Sequence, residues 1–240
     1  MEMRTRIRKA IDHLIANNFT VHFAKTGETA CGIILDMISK DDIVGIGDSA
    51  TVRQIGILNE LEKIGTMTLN PFSRKLTTDP SKREMRYKIS GDIFTSDVLI
   101  TGANAVTVDG KIVNMDAVGN RVAAMIFGPK RVIIVVGRNK IVENVEEALH
   151  RIRHVIAPCH AKTKEFGTPC VHTGICSDCS SKSRICNVTT IMEKRPWQTD
   201  TAILLIDDDL GSGWDEKWED QRISKIRANY EKATWVFAST

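Results

Sequence analysis

The residues best placed to do chemistry are four cysteines in the last third of the sequence. The segment 169–187 reads PCVHTGICSDCSSKSRICN and holds four of the six cysteines in the 240-residue chain. Their spacing is C-x5-C-x2-C-x6-C, in which the central C-x2-C pair lets two thiolates grip one metal from a single turn. The outer cysteines are close enough in sequence to complete four-coordination. We therefore predict metal ligands at Cys170, Cys176, Cys179 and Cys186.

The spacing leaves the identity of the inorganic centre open. Four thiolates suit a tetrahedral zinc ion or an iron–sulfur cluster. Zinc sites more often use two C-x2-C pairs, and the single pair with longer arms favours a [4Fe–4S] cluster, with zinc as the alternative. Free thiols without metal are another reading, and a disulfide is disfavoured in a reducing compartment. Cys159 and His160 are spare soft ligands just upstream, whereas Cys31 lies in an apolar helical pattern and is expected to fill the core.

Polar residues follow several short apolar runs, where a ligand crevice is expected in an open α/β sheet. The stretches are GIGDSAT (45–51), TGANAVT (101–107) and NMDAVGNR (114–121). Asp116 is the candidate general base, and Arg121 is the candidate clamp for a carboxylate or phosphate. The alternative is turn chemistry, because tight turns use Gly, Asn, Asp and Ser. The candidate ligand-binding residues are Gly47, Asp48, Ser49, Thr51, Thr101, Gly102, Asn104, Asn114 and Asn120.

Helical and strand patterns alternate along the chain, and these elements must position the candidate residues. The apolar runs at 97–101 and 131–136 are typical of buried strands. An Asp109-Gly110 turn between two short apolar stretches predicts a β-hairpin. Such alternation predicts an α/β fold: a layered, mostly parallel sheet with helices on both faces.

The same patterns predict one domain over residues 1–240 with two distinctive segments. A helix is predicted at 143–156, followed by a cysteine-rich metal-binding loop at 159–187. A charged C-terminal helix is predicted at 214–231, with Trp214 as one of its packing contacts.

Composition and missing motifs exclude several classes of protein. The net charge of +3 arises from 33 basic and 30 acidic residues, without the basic patch typical of nucleic-acid binding. The N-terminus lacks the uninterrupted apolar core of a signal peptide, and no apolar run is long enough to span a membrane, so we expect a cytoplasmic protein. The sequence has no GxxxxGK[ST] and no GxSxG, and GIGDSA lacks the third glycine of GxGxxG.

Three segments together resemble the LUD-domain family, which is named for lactate utilisation. They are GIGDSATVRQIG, the run from SDVLITGANAVTVDG through VGNRVAAMIFGPKRVIIVVGRNKIV, and TPCVHTGICSDCSSKSRICN. The resemblance spans nearly the whole chain and is to the shorter, single-domain branch with a cysteine motif. It implies a fold similar to that of the NagB/RpiA/CoA-transferase group. It also places the four cysteines named above, but not Cys159, on the characteristic motif.

The resemblance implies a function in the oxidation of lactate or another 2-hydroxy acid. We expect an iron–sulfur-binding accessory subunit with a redox role, working with iron–sulfur or flavin subunits. One alternative is an enzyme, isomerase-like or transferase-like, that acts on a small phosphorylated or carboxylated metabolite. Another is a structural zinc protein that serves as an assembly factor, and a homodimer is a further expectation. Neither GIGDSAT nor TGANAVT contains the glutamate that CoA-transferase relatives use at a strand end, which argues against acyl transfer.

Overall fold

Strands and helices alternate along residues 3–238, the part of the chain that this computed structural model describes. The strands are β1 (Thr20–Ala24), β2 (Val44–Ile46), β3 (Thr68–Leu69), β4 (Val98–Gly102), β5 (Ala105–Thr107), β6 (Ile112–Asp116), β7 (Arg131–Gly137), β8 (Ile141–Val142), β9 (Val188–Met192) and β10 (Asp200–Ile206). The helices are α1 (Met3–Ala16), α2 (Gly27–Asp36), α3 (Ala50–Gln54), α4 (Ile57–Lys63), α5 (Arg74–Thr77), α6 (Arg83–Asp92), α7 (Asn120–Ile126), α8 (Val145–Arg151), α9 (Ala157–Thr163), α10 (Cys170–Thr173) and α11 (Asp220–Lys232).

Six strands form a sheet in the order β1-β10-β7-β4-β2-β3, and every neighbouring pair in it is parallel. The central strands are apolar on both faces, as expected when helices cover a parallel sheet from two sides. Side chains alternate between the faces, so Ile134 of β7 packs in one core and Ile133 in the other. One face is covered by α1 and α7, and the opposite face by α2, α3 and α4. The predicted α/β layered fold is confirmed.

A second sheet, in the order β8-β5-β6-β9, extends the fold beyond the predicted hairpin. Strands β5 and β6 are antiparallel, and the turn between them holds Gly110 at φ 80°, a conformation that glycine adopts without steric cost. Strand β8 joins β5 in parallel, and β9 pairs antiparallel with β6. The hairpin prediction is confirmed, but its two outer partners come from distant parts of the chain.

Two predicted boundaries are wrong. The helix predicted at 143–156 passes through a π-helical turn at Ile152–Ile156 and continues as α9 to Thr163, so the cysteine-rich loop cannot begin at residue 159. The helix predicted to begin at Trp214 begins at Asp220, and Trp214 lies before it, buried against Val155 and Ile226. In the described part of the chain, no helix is both long and apolar enough to cross a membrane.

Candidate functional site

Loops from four parallel strands meet at the carboxyl edge of the sheet. Lys140, which follows β7, donates from Nζ to Oγ1 of Thr51 at 2.9 Å and to the carbonyl oxygen of Ala103 at 2.8 Å. The backbone N–H of Gly211, in the loop after β10, donates to Oε1 of Gln54 at 2.6 Å. These contacts join the loops that follow β2, β4, β7 and β10. We call Asp48, Thr51, Lys140 and Lys164 the sheet-edge site.

Lys140 is buried and has no carboxylate partner within residues 3–238. Burial, and secondarily the positive charge of Arg121, lowers its pKa to about 7. A substantial fraction of Lys140 is therefore uncharged at neutral pH, and an uncharged lysine amine can act as a base or nucleophile.

Asp48 lies between two cations. Its carboxylate accepts from Nζ of Lys164 at 2.8 Å and from Nη1 of Arg53 at 2.8 Å. Burial acts to raise the pKa of Asp48, but the charges of Lys164 and Arg53 outweigh it and hold the pKa well below its usual range. Asp48 is therefore ionised at neutral pH and balances part of a positively charged region.

His160 lies beside this ion pair on α9. Its Nδ1 is hydrogen-bonded to the hydroxyl of Tyr230, which comes from α11. Burial and the charge of Lys164 lower the pKa of His160 to about 4, although Asp48 acts in the opposite direction. His160 is thus neutral at pH 7, and it lies beside the sheet-edge site rather than among the four predicted cysteine ligands.

Arg121 reaches the same edge, but its guanidinium is fully engaged by the protein. Its Nε donates to Asp116, its Nη1 to the carbonyl oxygen of Gly102 and to Asn114, and its Nη2 to Asn104 and the carbonyl oxygen of Met115; the donor–acceptor distances run from 3.0 to 3.3 Å. All five N–H groups therefore have an acceptor.

This network assigns Arg121 and Asp116 a structural task, which is to hold the end of β4 against β6. A substrate-clamping role for Arg121 would require these bonds to break, and Asp116 would have to give up its partner to act as a base. The predicted catalytic pair lies together, but as an internal ion pair whose side chains are only 11% and 10% exposed.

The remaining predicted ligand residues lie in different surroundings near this edge. Gly47 and Ser49 line a cavity beyond the end of β2, and Ser49 also caps α3. Oγ1 of Thr101 is buried without a hydrogen-bond partner among the described residues. Asn120 is the first residue of α7 and is half-buried.

The four predicted metal ligands line one cavity. Cys170 begins α10, and the other three lie in the irregular chain that follows it, so the structure brings together all four thiols of what we call the cysteine segment (residues 170–186). Each of the four is a free thiol and half-buried. Arg184 lies beside them, donating to the carbonyl oxygens of Cys179 and Cys186 and to Asp178.

The donor chemistry fits a thiolate-bound inorganic centre, while the present spacing does not fit a single ion. Within residues 3–238, no group of three or more His, Cys, Asp or Glu side chains is arranged to hold a metal ion. A zinc ion would draw the four sulfurs to about 2.3 Å from its centre, whereas a four-iron cluster holds its thiolates farther apart. The cavity measures about 20 Å³, roughly room for one water, so loading a four-iron cluster requires the segment to spread. Residues 175–187 form no helix or strand, so spreading would disrupt local hydrogen bonds such as those of Arg184 rather than a regular element.

The other two cysteines lie elsewhere. Cys159 packs beside Trp214 and Ile226 and does not line the cavity of the four thiols, although its neighbour Pro158 does. Cys31 is buried in the core and donates to the carbonyl oxygen of Ile55, as its apolar setting predicted.

Several residues in or beside the sheet-edge site were not predicted from sequence. The position of Lys140 could have indicated burial, since it stands between a buried strand and the apolar pair Ile141-Val142. No sequence pattern indicated a functional position for Lys164, Arg53 or Trp235, because only the fold brings them to the end of β2.

Comparisons with known proteins agree with the fold. A solved structure described as a DUF162 family protein from Deinococcus radiodurans superposes with a TM-score of 0.50 and 13% identity, covering 86% of this chain and 99% of that chain. At that identity the likeness shows the fold alone. Among curated proteins, none matches the sequence. The model of the LUD domain matches residues 7–206. The chain therefore belongs to the LUD domain family, which is associated with lactate utilisation.

Proposed function

We propose that this protein is an iron–sulfur-binding accessory subunit that carries electrons in the oxidation of lactate or another 2-hydroxy acid. The observation that carries the proposal is that Cys170, Cys176, Cys179 and Cys186, all free thiols, line one cavity. Membership of a family associated with lactate utilisation supplies the metabolic setting.

The donor set favours a cluster over a single ion. Among the described residues that line the cavity, the four cysteines are accompanied by no His, Asp or Glu, and an all-thiolate set is typical of a [4Fe–4S] cluster. The four cysteines would hold a [4Fe–4S] cluster, which when bound supplies one-electron transfer. Arg184 would reduce the negative charge of four thiolates, since its guanidinium already lies against the segment.

The exposure of the segment supports a role beside a partner. Most residues between the cysteines are exposed, and Ile175 leaves 66% of its surface uncovered next to Cys176. An electron carrier needs a short path to its donor and acceptor, so a centre near the surface suits transfer between subunits. We propose iron–sulfur or flavin subunits of a lactate-oxidising system as those partners, and the reducing cytoplasm as the compartment.

Reconstitution with variants tests the proposal. The protein is incubated anaerobically with ferrous iron, sulfide and a thiol reductant, desalted, and examined by absorption near ~400 nm and by electron paramagnetic resonance after reduction. We expect the wild type to bind a cluster and Cys176→Ser to lose it. Cys159→Ser is the matched control and should bind as the wild type does.

Two outcomes would contradict the proposal. One is a wild type that stays colourless and binds one zinc ion with four thiolates, which would favour the alternative of a structural zinc protein. The other is cluster binding that survives Cys176→Ser but is lost in Cys159→Ser.

A further inference from the structure

A cavity of about 180 Å³ lies beyond the carboxyl end of β2. Gly47 and Ser49 from the β2 loop, Arg53 from α3, and Ser73 and Arg74 at the start of α5 all line it. Trp235, in the segment that follows α11, contributes another wall. The cavity is therefore assembled from distant parts of the chain at the edge where ligands bind in open α/β sheets.

Two arginines, Arg53 and Arg74, line this cavity, and no Asp or Glu among residues 3–238 does. Arg53 uses Nε for the carbonyl oxygen of Ala233 at 2.7 Å and Nη1 for Asp48 at 2.8 Å, which leaves Nη2 without an acceptor among residues 3–238. The side chain of Arg74 has neither a hydrogen bond nor an ion pair within the same range. Asp48 binds Arg53 but is not part of the lining, so the unpaired donors of Arg53 and Arg74 favour an anion in the cavity, above all a carboxylate or phosphate.

The rest of the lining suits an organic anion rather than a bare ion. Ile46, Val52, Leu58 and Phe72 provide apolar surface, and Ser49, Asn70 and Ser73 provide hydroxyl and amide groups. A recess with mostly apolar walls and a few polar groups is typical of small-molecule sites.

Trp235 covers the two cations. Its ring centroid lies 4.9 Å from Cζ of Arg53 and 6.0 Å from Cζ of Arg74, within the range of cation–π attraction. Its Nε1 donates to Oγ1 of Thr77 at 2.7 Å, and the N–H of Ala238 donates to the carbonyl oxygen of Thr77 at 2.8 Å. These two hydrogen bonds to Thr77 hold the segment 233–238 across the cavity.

We propose that this cavity binds a small organic anion, a carboxylate or a phosphate monoester, through Arg53 and Arg74 beneath Trp235. The inference is independent of the cysteine segment, since none of the four thiols lines this cavity. The ring of Trp235 reports on binding, because an anion between the two guanidinium groups changes the electric field at the indole.

Fluorescence titration tests the proposal on the full-length protein. Tryptophan emission is followed while L-lactate, inorganic phosphate or 3-phosphoglycerate is added at constant ionic strength, with sodium chloride as the reference. We expect a saturable change with at least one of the three anions, and its loss in Trp235→Phe. A response to L-lactate indicates a carboxylate site and a response to inorganic phosphate indicates a phosphate site, while 3-phosphoglycerate carries both groups.

A matched pair of charge variants separates the cavity from general electrostatics. Arg74→Gln removes a cation that has no hydrogen-bonded or ion-paired protein partner, so folding should survive, and it should weaken binding at least about tenfold. Lys75→Gln removes the same charge one residue away, outside the cavity lining, and should leave binding unchanged. No saturable change with any of the three anions, or equal weakening in both variants, would overturn the proposal.

Discussion

Asp48 and Lys164 lie 116 residues apart in the chain, yet their side chains form an ion pair at 2.8 Å. The side chain of Lys164 is only 1% exposed, and that of Asp48 is 21% exposed. Since Asp48 follows β2 and Lys164 follows α9, the pair ties the helix before the cysteine segment to the carboxyl edge of the sheet. The same carboxylate accepts from Arg53, so one acidic group holds two cations.

Removal of the Asp48 charge should destabilise the protein strongly. Asp48→Asn would leave Lys164 and Arg53 without their counter-charge in a buried setting, and a broken buried ion pair costs about 3–5 kcal/mol. Urea denaturation at pH 7 measures the free energy of unfolding. Glu60→Gln is the control, because its pair with Lys63 is exposed and should contribute under about 1 kcal/mol. Equal effects of the two substitutions would contradict the assigned burial.

His160 should make the protein sensitive to mild acid. Its pKa is lowered to about 4 by burial and by Lys164, so protons bind the unfolded chain more readily between pH 6.5 and pH 4. The stability is therefore complete above about pH 6.5 and falls as the pH drops towards 4, by about 3 kcal/mol. We expect His160→Gln to flatten this part of the pH profile of unfolding free energy. A profile with the same slope in both proteins would refute the prediction.

Lys140 should produce a slope on the alkaline side. Burial lowers its pKa to about 7, whereas the unfolded chain keeps the ordinary value near 10.5, so the folded state loses its proton first. Relative to Lys140→Met, the wild type should gain about 3 kcal/mol of unfolding free energy between pH 7 and pH 10. Chemical denaturation of both proteins at matched pH values gives this difference. If the difference does not change with pH, Lys140 remains charged throughout.

Arg121 should prove essential for stability rather than for ligand binding. Its guanidinium joins the end of β4 to β6, and a lysine has too few donors in the wrong geometry to replace it. We expect Arg121→Lys to cost about 3 kcal/mol of unfolding free energy, because buried acceptors that lose their donor cost about 1–3 kcal/mol each. Any anion binding measured at the Trp235 cavity should persist in the variant that remains folded. Full stability with lost binding would restore the clamp predicted from sequence.

The layered fold could be predicted from sequence because its signals are local. The central strands of the parallel sheet are near-continuous apolar runs, and the Asp109-Gly110 turn marks the hairpin. Strand β9 pairs with β6 across a long stretch of chain, and no local pattern encodes such a partner. The packing of Trp214 against Val155 and against Ile226 of α11 is also not encoded locally, and the start of α11 was predicted too early.

The candidate sites show the same division between local and distant signals. Cysteine spacing located four thiols that line one cavity, because they lie close together in sequence. Lys164 and Trp235 reach the end of β2 only through the fold, so nothing near them in the sequence indicates their neighbours. Arg121 was recognised as important, but the hydrogen bonds that engage its guanidinium depend on strand pairing.

The metal and sulfide content of protein purified without oxygen shows whether the four cysteines hold an iron–sulfur cluster. We expect on the order of four iron atoms with matching acid-labile sulfide per chain, lost together in Cys179→Ser. A chain that contains zinc or no metal, without labile sulfide even after anaerobic reconstitution, would contradict it.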